Sequence, residues 1–308
     1  MIVTLVSEVL PSGRQFELRA GDQRAIVTEV GATLRAYDKG GVPIIDGFAA
    51  DELCAGGSGQ PLLPWPNRIR DGLYKLDGAE LQLALTDPAG RHAIHGLVRW
   101  LPWTLVAQAA AHVALSCVVH PQPGYPFTLQ LRLDYRLAAD GLRIDVAAEN
   151  LSARACPFGA GAHPYLTVGG DHIDGATLQL PASEWMRTDL RLIPAGRVGV
   201  ENTAWDFRAP RTIGAQVLDH TFTTLTRDAD GRARVRLARG ERAVTLWMDE
   251  QFHFIQLFTG ETLAPARRRR ALAVEPMTCA PDAFNSGEGL VRLAPGQRFA
   301  GSWGISPT

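Results

Sequence analysis

The sequence predicts an all-β protein built as one large antiparallel β-sandwich, and three observations predict it. The 31 glycines and 20 prolines cut the 308 residues into short segments, the punctuation of turns between strands. Several of those segments alternate apolar and polar residues with period two, as half-buried strands do. Helical periodicity is nowhere sustained over three turns, and no capped amphipathic helix stands out. No repeat of fixed period and no low-complexity linker divides the chain, so residues 1–308 are expected to form a single domain.

Taken in order, MIVTLVSEVLPSGRQ lacks a basic leader region and meets Glu8 early, so it reads as a first strand rather than a signal peptide. Asp77-Gly78 sits between LYKL and AELQL, a hairpin signal. Leu129, Leu131, Leu133, Tyr135 and Leu137 face one way, and Leu142, Ile144 and Val146 follow after a second hairpin signal at Asp140-Gly141. A third hairpin is expected at Asp230-Gly231, and Val235, Leu237, Val244, Leu246 and Met248 bracket a turn at Arg239-Gly240. Phe252, Phe254, Ile255, Leu257 and Phe258 make another strand. Ala271 to Val274 reads as a buried strand entering the core. Pro276 lacks a ladder donor and biases its predecessor toward extended backbone, so this strand is expected to end at Glu275.

Charge and cysteine content exclude several classes of function. With 31 basic and 32 acidic residues the formal net charge is −1, which gives no global field for nucleic acid or anionic membrane. No apolar run is long enough to span a bilayer. Cys54, Cys117, Cys156 and Cys279 are widely spaced with no C-x-x-C pair, which reads as reduced thiols in a cytoplasmic protein. The run Arg267 to Arg270 is expected to be a solvated hairpin loop, since it is short and has no interleaved aromatics. There is no G-x-G-x-x-G opening a helix, no P-loop and no G-x-S-x-G elbow.

Five stretches could carry chemistry. Glu275 stands at the mouth of an apolar strand, where a carboxylate needs partners or a raised pKa, and is therefore a candidate general base. In QPLLPWPNRIRDG, Arg68 and Arg70 follow a proline-stiffened loop; they suit recognition of hydroxyls or carboxylates, or are solvated strand-edge charges. RHAIHGLVRWLPW holds His92, His95, Trp100 and Trp103. A histidine before glycine fits close approach of a ligand, an aromatic face fits a sugar's CH surface, and packing histidines are the competing reading. Two histidines three apart off a helix, with no third ligand nearby, argue against a metal. His163, before Pro164-Tyr165, is either a site residue or a turn histidine bonded to backbone. In VLDHTF, Asp219 and His220 interrupt an apolar run, so one is expected to face a pocket and the other solvent.

Together the strings PWPNRI, HGLVRW, HPYL, LDHTF and VEP followed by PDAFN and LAPGQ span most of residues 60–300. In this order and spacing the chain resembles the galactose mutarotase (aldose 1-epimerase) family. The resemblance implies one large β-sandwich that interconverts the anomers of a free aldose without cofactor or metal. It implies Glu275 as the base at the anomeric hydroxyl and His163 as the acid at the ring oxygen. His95 would support the charge developing there, and Arg68 and Asp219 would bind sugar hydroxyls. Unperturbed carboxylates ionise near ~4.3 and histidines near ~6.5, so the acid is expected to be a histidine that a nearby carboxylate keeps charged. Met277 stands where the galactose-directed branch has glutamine, and Gly96-Leu97 where it often has two glycines; both bear on the preferred sugar rather than the reaction. The expected partner is a monosaccharide, with no nucleic acid or membrane, for a monomer or homodimer. Two other readings keep the fold: a hexose 6-phosphate epimerase using Arg70, Arg99 or the 267–270 run, and a non-catalytic sugar-binding domain.

Overall fold

The computed structural model describes residues 9–308. Two large antiparallel sheets carry the architecture, one of nine strands and one of eight. The nine-stranded sheet is ordered Thr104–Ala109, His112–Val119, Leu129–Ala138, Gly141–Asn150, Arg298–Pro307, Arg242–Met248, Ala233–Arg239, Thr177–Gln179, Arg211–Thr212. The central path of the other runs Pro194–Gly199, Ala182–Thr188, Asp219–Leu225, Phe254–Phe258, Leu272–Met277, Gly161–Ala162, Pro61–Leu62, with Tyr165–Leu166 also paired to Leu272–Met277. A small four-stranded sheet within residues 15–43 packs on the first. Tyr135 Oη donates to the Ala32 carbonyl and Gln23 Nε2 to that of Ala138, tying the two together.

Period two explains why the large sheets meet. In Leu129–Ala138, Leu129, Leu131, Leu133, Tyr135 and Leu137 are all buried, and Ile144 and Val146 of the next strand lie on the same face. A narrow space between the sheets is lined by Leu133, Tyr135, Ile144, Val146 and Trp303 from one, and by Pro61, Gly161 and Ala162 from the other. One apolar cluster runs through this interface from Phe16 to Ile305, and its burial is the main driving force of the fold.

The turns follow the expected chemistry with small displacements. Asp77 and Gly78 both take positive φ between paired Leu76 and Ala79, the geometry of a two-residue hairpin. At Asp140-Gly141 the loop is Ala139-Asp140 and Gly141 already pairs with Ala138. Around Gly240 the turn is Gly240-Glu241, between paired Arg239 and Arg242. Asp230-Gly231 does turn the chain, but it is not a hairpin. The strands before and after it, Asp219–Leu225 and Ala233–Arg239, belong to different large sheets, so the turn lies in a crossover that a local signal cannot distinguish from a hairpin. Of the expected N-terminal strand, residues 1–8 lie outside the described residues, and the first described strand is Gln15–Ala20.

The strand expected to end at Glu275 continues to Met277. Val274 N donates to Pro164 O and Thr278 N to Ala160 O, so the absent N–H of Pro276 falls between those two bonds. It faces the stretch where the neighbouring strand is broken at His163, and little pairing is lost there.

Ile144→Ala removes a buried side chain from the space between the sheets and is expected to destabilise the protein by about 2–5 kcal/mol. Denaturant unfolding checks this as a lower midpoint at unchanged slope.

Candidate active site

The strand Leu272–Met277 divides its residues between two environments. Leu272 and Val274 point into the main core, while Glu275 points to the opposite face of the sheet. The register sets Gln256 directly across from Glu275, and Thr221 across from Gln256. On that same face Gln256 Nε2 donates to Asp219 Oδ1 at 2.6 Å, and Thr221 Oγ1 donates to Gln256 Oε1 at 2.5 Å. A row of polar side chains thus crosses three strands whose other faces are apolar. Loops enclose the row in a cleft of about 520 Å³, well sized for a small ligand.

The five residues to which the resemblance gives roles all line this cleft: Arg68, His95, His163, Asp219 and Glu275. His163 Nε2 lies 3.3 Å from Glu275 Oε1, and both side chains are almost fully buried. Tyr165 stacks on the His163 ring at 5.0 Å, with its hydroxyl donating to Gly56 O. The loop at Gly57 also passes close to the ring. A Cβ there would sit 2.9 Å from the ring, on a backbone with φ +73°, so this approach requires glycine. His163 Nδ1 and Glu275 Oε2 are buried with no hydrogen-bond partner among the described residues.

His95 takes a left-handed backbone at φ +62°, a conformation that costs a non-glycine residue about 1–2 kcal/mol. Gly96 follows with φ +71°, and a Cβ there would lie 2.0 Å from Leu63 O. This tight turn swings the His95 ring to within 5.4 Å of His163, edge to face. Its Nδ1 accepts the Asn67 amide at 3.2 Å, which leaves the ring proton on Nε2 and makes His95 a neutral donor. Arg68 pairs with Asp87 at 3.0 Å, both largely buried, and Gly90 N donates to the same carboxylate.

Burial dominates the protonation of the central pair. It raises Glu275 well above the ordinary carboxylate range; the charge of Asp219 adds to this and that of Arg68 opposes it. Burial holds His163 down to about 3, with the charge of Arg99 acting in the same direction. Burial also lowers His95 and raises Asp219. The expectation that a nearby carboxylate would keep the histidine charged is therefore reversed: in this dry setting a charged pair is costlier than a neutral one. Donor atoms of His95, His163 and Glu275 lie within 4.8 Å of one another, so these are the residues that could hold a cation. The His92–His95 pair weighed in the sequence is not part of that set.

Other expectations change on inspection. Arg70 does not line the cleft; it pairs with Asp189 and, more distantly, Asp282. His92 is a packing residue, accepting Asp71 N at Nδ1 and approaching Arg191 O with Nε2 at 3.2 Å. His220 is only partly exposed, packing on Trp185 and Trp205 at 5.1 and 4.2 Å. Trp103 is core, whereas half-exposed Trp100 lines the cleft. The arginine run is not solvated throughout. Arg267 and Arg270 bind Asp46, and Arg269 binds Asp174 and Glu261. All four cysteines are free.

The sequence reading missed Gln256, Asp87 and the tip Leu190–Leu192. Gln256 carried a signal, as the lone polar residue inside FIQLF. The tip carried none, because only the fold brings it to the cleft. There the Arg191 guanidinium bonds Gly90 O at 2.9 Å and also Asp71.

Comparison with known proteins bears on the family and the fold. A family model described as aldose 1-epimerase matches residues 14–306. The uncharacterised Escherichia coli protein YihR is 34% identical over 93% of this chain and 91% of its own length. Human galactose mutarotase is 27% identical over 76% of this chain and 73% of its own. Among solved structures, a GalM/aldose epimerase homologue from C. elegans superposes with TM-score 0.85 at 21% identity, covering 96% of this chain and 98% of that one. Among the described residues no helix is long and apolar enough to cross a membrane. From the match across nearly its whole length, the chain belongs to the aldose 1-epimerase family.

Proposed function

We propose that this protein is a cofactor-independent aldose 1-epimerase that interconverts the α and β anomers of a free hexose. In this reading it works in the cytoplasm as a single-domain monomer or homodimer. The observation that carries it is the buried pair Glu275–His163, 3.3 Å apart in a cleft that Arg68, His95 and Asp219 also line. Binding alone does not call for a base and an acid in contact.

Opening the ring needs two proton movements. Glu275 takes the proton of the anomeric hydroxyl, and His163 gives one to the ring oxygen as the C1–O5 bond breaks and the C1=O1 bond forms. Rotation about C1–C2 presents the other face of the aldehyde. On closure the ring-oxygen proton returns to His163 and Glu275 returns its own to O1, with no net change in protons or electrons. His95 donates a neutral hydrogen bond to the developing charge, and Arg68 and Asp219 hold hydroxyls.

The burial shifts fit this cycle. The closed sugar reacts with the pair charged, and the open sugar is accompanied by the pair neutral. An environment that raises Glu275 and lowers His163 favours the neutral pair, which accompanies the open sugar. The charged pair that reacts forms from it by moving one proton across the 3.3 Å contact.

Glu275→Gln is expected to lower the rate by about 10²–10⁴-fold while sugar still binds, each positioned acid or base group being worth about that much. Polarimetric relaxation of fresh α-glucose and α-galactose, alongside a binding titration, checks it. Undiminished relaxation removes Glu275 from the base role. Saccharide binding by the parent protein with no acceleration of any anomer supports a non-catalytic sugar-binding domain instead.

The pair works with one proton between its two members. That count holds from the depressed His163 value of about 3 upward until Glu275 ionises, well above its ordinary range. The profile of kcat/KM is therefore expected to run level through pH ~6.5, where a free histidine titrates, and to fall on the alkaline side. Proton NMR exchange across a pH series measures this, and an acid limb centred near ~6.5 would contradict the protonation scheme.

A further inference from the structure

Three guanidinium groups line the cleft, and two of them are neutralised: Arg68 by Asp87 and Arg191 by Asp71. The third, Arg99, has neither an ion pair nor a side-chain hydrogen bond among the described residues. Burial lowers its pKa, and Cys54 opposes this. That thiol is pushed up to about 12 by its own burial, so it is neutral and no counter-ion. The residue is firmly placed, since Gln60 Nε2 donates to Arg99 O at 3.1 Å and Gly31 leaves no room for a Cβ, which would lie 2.4 Å from the same oxygen. A partly buried cation held without an anion is a costly arrangement.

Its position in the cleft is also specific. Gln60 links Arg99 to the histidine, its carbonyl accepting from His163 N at 3.0 Å while its side chain donates to Arg99 O at 3.1 Å. The Arg99 charge acts on His163 and, together with Arg68, on His95, whereas Glu275 and Asp219 respond to Arg68. Arg99 therefore lies on the histidine side. In the epimerase cycle the order of atoms along the sugar is O1 at Glu275, the ring oxygen at His163, then C5 with its exocyclic carbon. The next substituent outward from the histidine pair is the group on that exocyclic carbon.

We propose that the preferred substrate is an aldose bearing a single negative charge on its exocyclic carbon, bound by Arg99. This rests on the epimerase reading above and names the substrate class within it. One unpaired guanidinium matches one charge, and its planar fork donates to two oxygens of a carboxylate or a sulfate group. A phosphate monoester, close to doubly charged above its second pKa of ~6, would leave excess charge at a site with no second free cation among the described residues. Of the other cations considered from the sequence, Arg70 is engaged with Asp189, and Arg267, Arg269 and Arg270 with Asp46, Asp174 and Glu261. Arg268 is exposed, donates to Leu263 O and does not line the cleft.

Anomer exchange measured by proton NMR tests this with glucose, galactose, glucuronate, galacturonate, glucose 6-sulfate and glucose 6-phosphate at pH 8, at low and high salt. Relative to its neutral parent, a uronate or the 6-sulfate is expected to show about 10- to 100-fold higher kcat/KM, the equivalent of a charge-assisted hydrogen bond. The uronate and sulfate arms separate a carboxylate from a more extended oxyanion. In Arg99→Gln that ratio is expected to collapse toward unity, chiefly through KM, and Arg99→Lys to recover part of it. If Arg99→Gln does not fold, the parent ratio and its loss at high salt decide. Equal turnover of charged and neutral sugars, an unchanged ratio in Arg99→Gln, or a preference for the phosphate overturns the inference while leaving the epimerase standing. Acceleration of no sugar in any arm overturns both.

Discussion

Glu275 is a carboxylate that the alternation of a single strand places on the far side of a sheet from its own apolar neighbours. Leu272 and Val274 anchor the strand in the core shared by the two large sheets, and one residue further the pleat presents the glutamate to the cleft. A slip of one position would bury the carboxylate between the sheets. The placement of Gln256 and Asp219 inherits the same constraint through the register of three adjacent strands. The precision of the polar row therefore comes from sheet geometry, and the apolar core holds it in place.

The sandwich contributes a rigid floor, and the loops contribute the rest. His163 sits at a break between two short strands, where stacking by Tyr165 and the close passage of Gly57 hold its ring. His95 is held by a left-handed turn and an amide bond to Nδ1. Unfavourable local choices collect around the cleft: a strained backbone, a buried acid, and polar atoms without partners. Such features persist only where the surrounding structure over-determines them. Folding into two broad sheets supplies that surplus.

Much of this was legible in the sequence, for definite reasons. The alternation in Leu129–Ala138 named both the strand and its buried face, and Asp77-Gly78 named its turn, because those signals are local. The five cleft residues were legible as motifs in order along the chain. Pro276 misled because its missing donor matters only if a partner strand stands opposite, and that partner is broken there. Asp230-Gly231 misled because a turn residue says nothing about which sheet receives the next strand. His163 misled on charge, since a nearby carboxylate is visible in a motif and desolvation is not. The arginine run looked solvated because its acidic partners, Asp46, Asp174 and Glu261, are mostly remote along the chain.

The tip Leu190–Leu192 joins Ala182–Thr188 to the edge strand Pro194–Gly199, and it reaches the cleft as a projection clasped by Gly90, Asp71 and His92. A connection at the margin of a sheet tolerates insertion and replacement far better than the central strands do. The tip at the cleft mouth and the polar row on the sheet thus reside on parts of the polypeptide that can diverge independently. A lineage can reshape the cleft mouth by rewriting a few edge residues, while the Glu275–Gln256–Asp219 row behind it is held by the sheet register.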